Sequence, residues 1–136
     1  MEWKREGYEI STDKARLDRA LICDFLASSY WANNFSREQI LRSIDTSLTW
    51  GMFDGARQIG YARALSDFSR QGFLSDVFVV PEFRGRGLGI WLIETVIAHP
   101  ELKGIRWLLG TADAHGLYER FGFTRAEPGR FMVRRP

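Results

Sequence analysis

The stretch FRGRGLGIW, residues 83–91, sets three glycines within five positions at the head of an apolar run. A glycine loses more backbone freedom on folding than any other residue and packs no side chain, so three together imply a tight turn or a close backbone approach. Upstream, Phe73 to Val80 is rich in β-branched and aromatic residues and reads as a strand, closed by Pro81. Downstream, Leu88, Trp91, Leu92, Thr95 and Val96 recur at helical spacing, while Ile90, Ile93 and Ile97 line an adjoining face. The spacing predicts a helix buried over a wide arc and ended by Pro100. A strand, a glycine turn and a helix in that order make an anion site. The first N–H groups of the helix have no internal partner, its dipole favours negative charge, and Arg84 and Arg86 add cations.

Working outward, Tyr8 to Ile10 is a short strand, and Leu17, Leu21, Ile22, Phe25 and Leu26 follow at helical spacing after a cap at Ser11 or Asp13. Ser36, with Gln39 three residues on, forms a capping box for a second helix through Ile40, Leu41 and Ile44. Leu48 to Phe53 and Gln58 to Leu65 are strands joined through Asp54-Gly55, a hairpin signal. Beyond the long helix, Ile105 to Leu109 reads as a strand, Ala114 to Phe121 as a short helix closed by Gly122, and Phe131 to Arg134 as a last strand. The expected order is β-α-α-β-β-β-α-β-α-β. It implies an α/β (α+β) fold with a central mixed, mostly antiparallel sheet flanked by helices on both faces. No repeat or linker interrupts the 136 residues, which read as one domain.

The bulk composition narrows the class. Nineteen basic residues against seventeen acidic ones leave a formal charge of +2, without the strong basic excess expected of a nucleic-acid or acidic-membrane binder. The lone Cys23 excludes an internal disulfide, and no Cys/His cluster has metal-ligand spacing. The N-terminus lacks the apolar core of a signal peptide and no apolar run is long enough to span a bilayer, so a cytoplasmic, metal-free protein is expected.

Two familiar phosphate loops fail against the letters. The dinucleotide fingerprint needs a third glycine where Ile90 or Leu92 stands, and the P-loop needs a Lys-Ser or Lys-Thr pair that is absent. What matches is R-x-x-G-x-G, Arg84 to Gly89, and with it the sequence resembles the GNAT acyltransferase superfamily, whose members bind the pyrophosphate of acetyl-coenzyme A in that loop. LYERFGF, residues 117–123, resembles that family's second signature, a C-terminal helix carrying a tyrosine.

The resemblance implies acetyl-CoA as donor and a small-molecule or peptide amine as acceptor, with no metal. Gly85, Arg86, Gly87, Leu88, Gly89 and Ile90, together with Arg84, would hold the pyrophosphate, and Val77, Phe78 and Val79 would lie along the pantetheine arm. A bulge at those three residues would free a backbone N–H for the thioester carbonyl. Thr111 stands where many members place a coenzyme-contacting asparagine. Tyr118 is implied as proton donor to the departing thiolate. Asp76, at the edge of the coenzyme strand, and His115, three residues before Tyr118, are candidate bases. Tyr30 and Trp31 would wall an acceptor pocket or pack as aromatic core. Arg63 and Asp67 would bind the acceptor or pair as a structural salt bridge. The family's final strands often pair between chains, so a homodimer is compatible. The competing reading is a catalytically idle acyl-CoA sensor or regulatory module.

Overall fold

A computed structural model describes all 136 residues. Six strands form one sheet in the order β1-β2-β3-β4-β5-β6: β1 (Glu2–Arg5), β2 (Tyr8–Ser11), β3 (Leu48–Asp54), β4 (Arg57–Ser66), β5 (Gln71–Val79) and β6 (Arg106–Leu108). Neighbours are antiparallel except β5 and β6, which run parallel. That one parallel pair requires a crossover, and α3 (Leu88–Ile97) lies in it. The remaining helices are α1 (Arg19–Ala27), α2 (Arg37–Thr46) and α4 (His115–Glu119).

Helices cover both sheet faces. Tyr61 and Phe78 are paired across β4 and β5, so they share a face, and there Phe25 of α1 stacks on Phe78 with ring centroids 3.9 Å apart. Trp50 is paired with Ala62, the next residue along from Tyr61, and therefore points the other way, edge-on to His99 just beyond α3. Trp50, Tyr61, Ile22, Ile44 and Leu92 are all fully buried in one continuous core. No helix is long and apolar enough to cross a membrane.

Local signals hold where they are self-contained. Ser36 Oγ accepts the Gln39 N–H and the Gln39 amide accepts the Ser36 N–H, closing the expected capping box. The hairpin at Asp54 has a two-residue loop with Gly55 at φ 60°.

Three expectations are corrected. The cap of α1 is Asp18, whose side chain accepts the Leu21 N–H, not Ser11 or Asp13; Asp13 caps a separate 3-10 turn at Lys14–Arg16. The later start is fixed from outside, because the buried Gln58 side chain accepts the Asp18 N–H. The additional strand β1 precedes the one expected at Tyr8. Its residues are mostly exposed, and its turn uses Glu6 at φ 51° before Gly7 at φ 86°, a left-handed pair without the usual Asn or Asp. Phe131 to Arg134 is not a strand. Its side chains are exposed and it pairs with no strand of the sheet, and strand propensity without a pairing partner does not make a strand. The observed order is β-β-α-α-β-β-β-α-β-α.

Candidate active site

The site begins where strands part. β6 pairs with β5 only over Gln71–Phe73. Beyond Phe73 and Leu108 the two chains diverge: β5 continues to Val79, while the other turns through Gly110 and Asp113 into α4. From Leu74 onward β5 has no strand partner on that side, which leaves a free backbone edge facing a wedge-shaped cleft.

The opposite ladder of β5 breaks at the same level. Tyr61 pairs with Phe78 and Arg63 with Ser75, so Asp76 and Val77 both lie opposite the single residue Ala62. This is a β-bulge, and Asp76 carries its strain at φ 54°, a left-handed conformation that aspartate adopts more readily than most residues.

The bulge turns the Asp76 carboxylate inward. Oδ2 accepts from Arg63 Nε at 2.8 Å and Oδ1 from Trp31 Nε1 at 3.0 Å. The terminal nitrogens of Arg63 donate to the Ser47 and Ser75 hydroxyls. The pair is largely withdrawn from water, with side chains 16% (Arg63) and 8% (Asp76) exposed. Both Asp76 oxygens are thus engaged, one of them by a guanidinium.

Two hollows meet in the wedge. The first, about 650 Å³, lies among Trp31, Phe35, Ile40, Arg63, Phe73, Asp76, Leu109 and Thr111. The second, about 590 Å³, is a groove running from Arg84 and Gly89 past Val79 and Phe78 to Val77 and Leu117. Tyr30, Trp31, Val77, Asp113, Ala114 and Tyr118 line both, so the passage between the hollows runs beside the Tyr118 phenol. Burial, followed by the nearby Tyr30 and Asp113, pushes the Tyr118 pKa up to about 12. The phenol therefore stays protonated at neutral pH and is available as a donor.

Tyr30 roofs the junction. Its hydroxyl accepts the Ala112 N–H at 3.1 Å and lies 3.3 Å from Asp113 Oδ1, to which it donates. It ties the segment after α1 to the loop before α4, and its ring sits edge-on to Trp31 with centroids 5.2 Å apart.

At the far end of the groove, Gly87 precedes α3 with φ 77° and no side-chain cap, leaving the N–H groups of Leu88, Gly89 and Ile90 without helical partners. Gly85 has φ 78°. At both glycines a Cβ would project into open space, so the turn is shaped by backbone conformation and leaves room above it. Arg84 Nε donates to the Val79 carbonyl, pinning the turn to the end of β5. Arg86 faces away from the groove, donating to the Tyr8 hydroxyl and lying over the Phe83 ring.

The other expected residues divide. Thr111 lines the first hollow, and its hydroxyl accepts the Ala114 N–H, fixing the start of α4. His115 lines neither hollow. Asp67 sits in the turn between β4 and β5, where Oδ1 accepts the N–H groups of Ser69, Arg70 and Gln71. It pairs neither with Arg63 nor with the cleft; the partner of Arg63 is Asp76. Asp113 escaped the sequence reading. Its one local signal was its place just before a short helical pattern, where an aspartate reads as a cap.

A family model described as Acetyltransferase (GNAT) domain matches residues 45–125. A solved structure of a GNAT-family protein from Xanthomonas campestris pv. campestris is 42% identical, superposes with a TM-score of 0.91, and the match covers 98% of this chain and 96% of that one. A protein named as an acetyltransferase in Gibberella zeae is 26% identical over 140 residues, 85% of this chain and 78% of its own. A predicted acetyltransferase of Clostridium acetobutylicum, solved with acetyl-CoA, shares the fold at a TM-score of 0.68 and 14% identity, over 98% of this chain and 96% of that one. The glycine turn, the parted strands and the Tyr118 helix all fall inside the matched segment, and the chain belongs to the GNAT family of N-acetyltransferases.

Proposed function

We propose that this protein transfers an acetyl group from acetyl-CoA to a primary amine by direct attack within a ternary complex. The observation that carries this reading is the continuous path from the glycine turn, along the bulged free edge of β5, to Tyr118 at the mouth of a second hollow. The cradle left open above Gly85 and Gly87 and the uncapped start of α3 suit a pyrophosphate. The Val77–Val79 edge suits an amide-bearing arm that pairs with backbone as an added strand does. The solved Clostridium acetobutylicum relative contains acetyl-CoA on the same fold, which supports the choice of donor.

When bound, acetyl-CoA supplies an acetyl thioester whose C–S bond breaks as the C–N bond forms. The chain's residues orient and protonate. The interrupted ladder at Asp76 and Val77 offers a backbone N–H toward the carbonyl oxygen, in a site where such a donor acts with little reorganisation. The Tyr118 hydroxyl gives its proton to the leaving sulfur. The acceptor's ammonium first loses one proton to water through the open first hollow; the neutral amine then attacks, and the proton its nitrogen loses as the amide forms balances the one that restores the phenol, so one proton is released per turnover. The Arg63–Asp76 pair holds the bulge, and Tyr30 and Trp31 wall the junction.

The test is thiol release from acetyl-CoA across an amine panel, by wild type and by Tyr118→Phe. Amine-dependent release that falls in the variant, with acetyl-CoA affinity kept, supports the reading. Acetyl-CoA binding without amine-dependent release by the wild type contradicts it.

A further inference from the structure

Three charged side chains line the first hollow: Arg63, Asp76 and Asp113. Arg63 and Asp76 neutralise each other. Asp113 has no cation beside it. Its Oδ1 accepts from the Tyr30 hydroxyl, and no group in the protein donates to its Oδ2. It also lines the donor groove and so stands, with Tyr118, at the junction.

The rest of the lining is chiefly apolar, with Phe35, Ile40, Phe73 and Leu109 among it. An acceptor carboxylate entering this hollow finds one guanidinium, already committed to Asp76, Ser47 and Ser75. A polycation finds one uncompensated carboxylate for its several charges, and the chiefly apolar walls offer its further ammonium groups no partner. A single ammonium on an apolar body meets both conditions: one anion at the reacting end and hydrophobic walls beyond it.

We infer that Asp113 is the residue that receives the acceptor's ammonium, and that the acceptor is a monoamine whose body is apolar and free of carboxylate. The inference rests on the acetyl-transfer reading and narrows it. Asp113 selects and positions; the proton still leaves to water.

The test uses the full chain in three steps. Calorimetry with acetyl-CoA comes first and reports on the donor reading alone. Thiol release is then measured with 2-phenylethylamine, phenylalanine and spermidine. A kcat/KM for 2-phenylethylamine about tenfold or more above either competitor is expected, the size set by one charge-assisted hydrogen bond and an unpaired polar group. Asp113→Asn keeps an oxygen that accepts from Tyr30, so the loop holds its place. It should raise KM for 2-phenylethylamine about tenfold while kcat and the affinity for acetyl-CoA change less than about threefold, and Asp113→Glu should restore most of the loss. Preference for spermidine or phenylalanine overturns the inference. So does an unaltered amine KM in Asp113→Asn, or acetyl-CoA binding with no turnover of 2-phenylethylamine. Absence of acetyl-CoA binding is a different result, seen in the calorimeter, and overturns the donor reading along with this one.

Discussion

Arg63 Nε donates to Asp76 Oδ2 at 2.8 Å across the place where the β4–β5 ladder is interrupted. The ion pair therefore does more than neutralise a buried carboxylate: it holds a left-handed aspartate in the strand that faces the cleft. Breaking one half leaves the other half buried and uncompensated, which is far more costly than exchanging both.

Arg63→Met should lower the urea unfolding free energy by about 3 kcal/mol, because the Asp76 carboxylate would keep only Trp31 as partner. Adding Asp76→Asn, a residue that tolerates the left-handed conformation, should recover part of that loss. Strictly additive losses in the double variant would mean the two side chains are not energetically coupled.

Tyr118→Phe removes the phenol at the junction and keeps the ring that packs edge-on to Phe123. Turnover should drop about a hundredfold or more, the usual range for losing a positioned general acid, with acetyl-CoA affinity unchanged. Because burial moves the Tyr118 pKa up to about 12, kcat of the wild type should show no descending limb as pH rises through about 10, the ordinary tyrosine value. A limb at the ordinary value would show the phenol to be solvated in the working enzyme.

Asp67 yields an acid-range prediction remote from the cleft. Three backbone N–H groups hold its carboxylate, chiefly that of Arg70, and lower its pKa to about 2 from the usual 3.8. The folded pKa lies below the unfolded one, so the stabilisation is complete above the unfolded value and fades as pH falls from about 3.8 toward about 2. Carboxyl NMR should place the Asp67 midpoint near 2, and Asp67→Ala should flatten the pH dependence of stability within that window. A midpoint at the ordinary aspartate value would show that the turn bonds do not persist in solution.

Elements whose signals lie within a few residues are legible in the sequence: the Ser36–Gln39 capping box, the Asp54-Gly55 hairpin and the glycine turn ahead of α3. Features decided by distant partners are not. The start of α1 depends on Gln58, forty positions beyond Asp18, and strand β1 depends on pairing with β2. Phe131 to Arg134 has strand composition but pairs with no strand. The same division runs through the site. Tyr118 and the turn residues stand in two local motifs. No motif pairs Trp31 with Asp76 or Tyr30 with Asp113, because those bonds join residues 45 and 83 positions apart. Arg63 and Asp67, near the end of one strand, read either as acceptor-binding residues or as an ion pair, whereas the register of β4 on β5 sets Arg63 opposite Ser75 and within reach of the bulge.

The most direct test of the central claim is calorimetric titration with acetyl-CoA, with ATP and NAD as controls, on wild type, Gly87→Trp and Gly104→Trp. Gly87 and Gly104 share left-handed φ values of 77° and 79°, so the second variant matches the backbone strain at a position outside the turn. Saturable binding of acetyl-CoA by wild type and Gly104→Trp, lost in Gly87→Trp and absent with ATP or NAD, is the predicted result. Wild-type protein that fails to bind acetyl-CoA, or Gly87→Trp that binds it as tightly as wild type, would contradict the account.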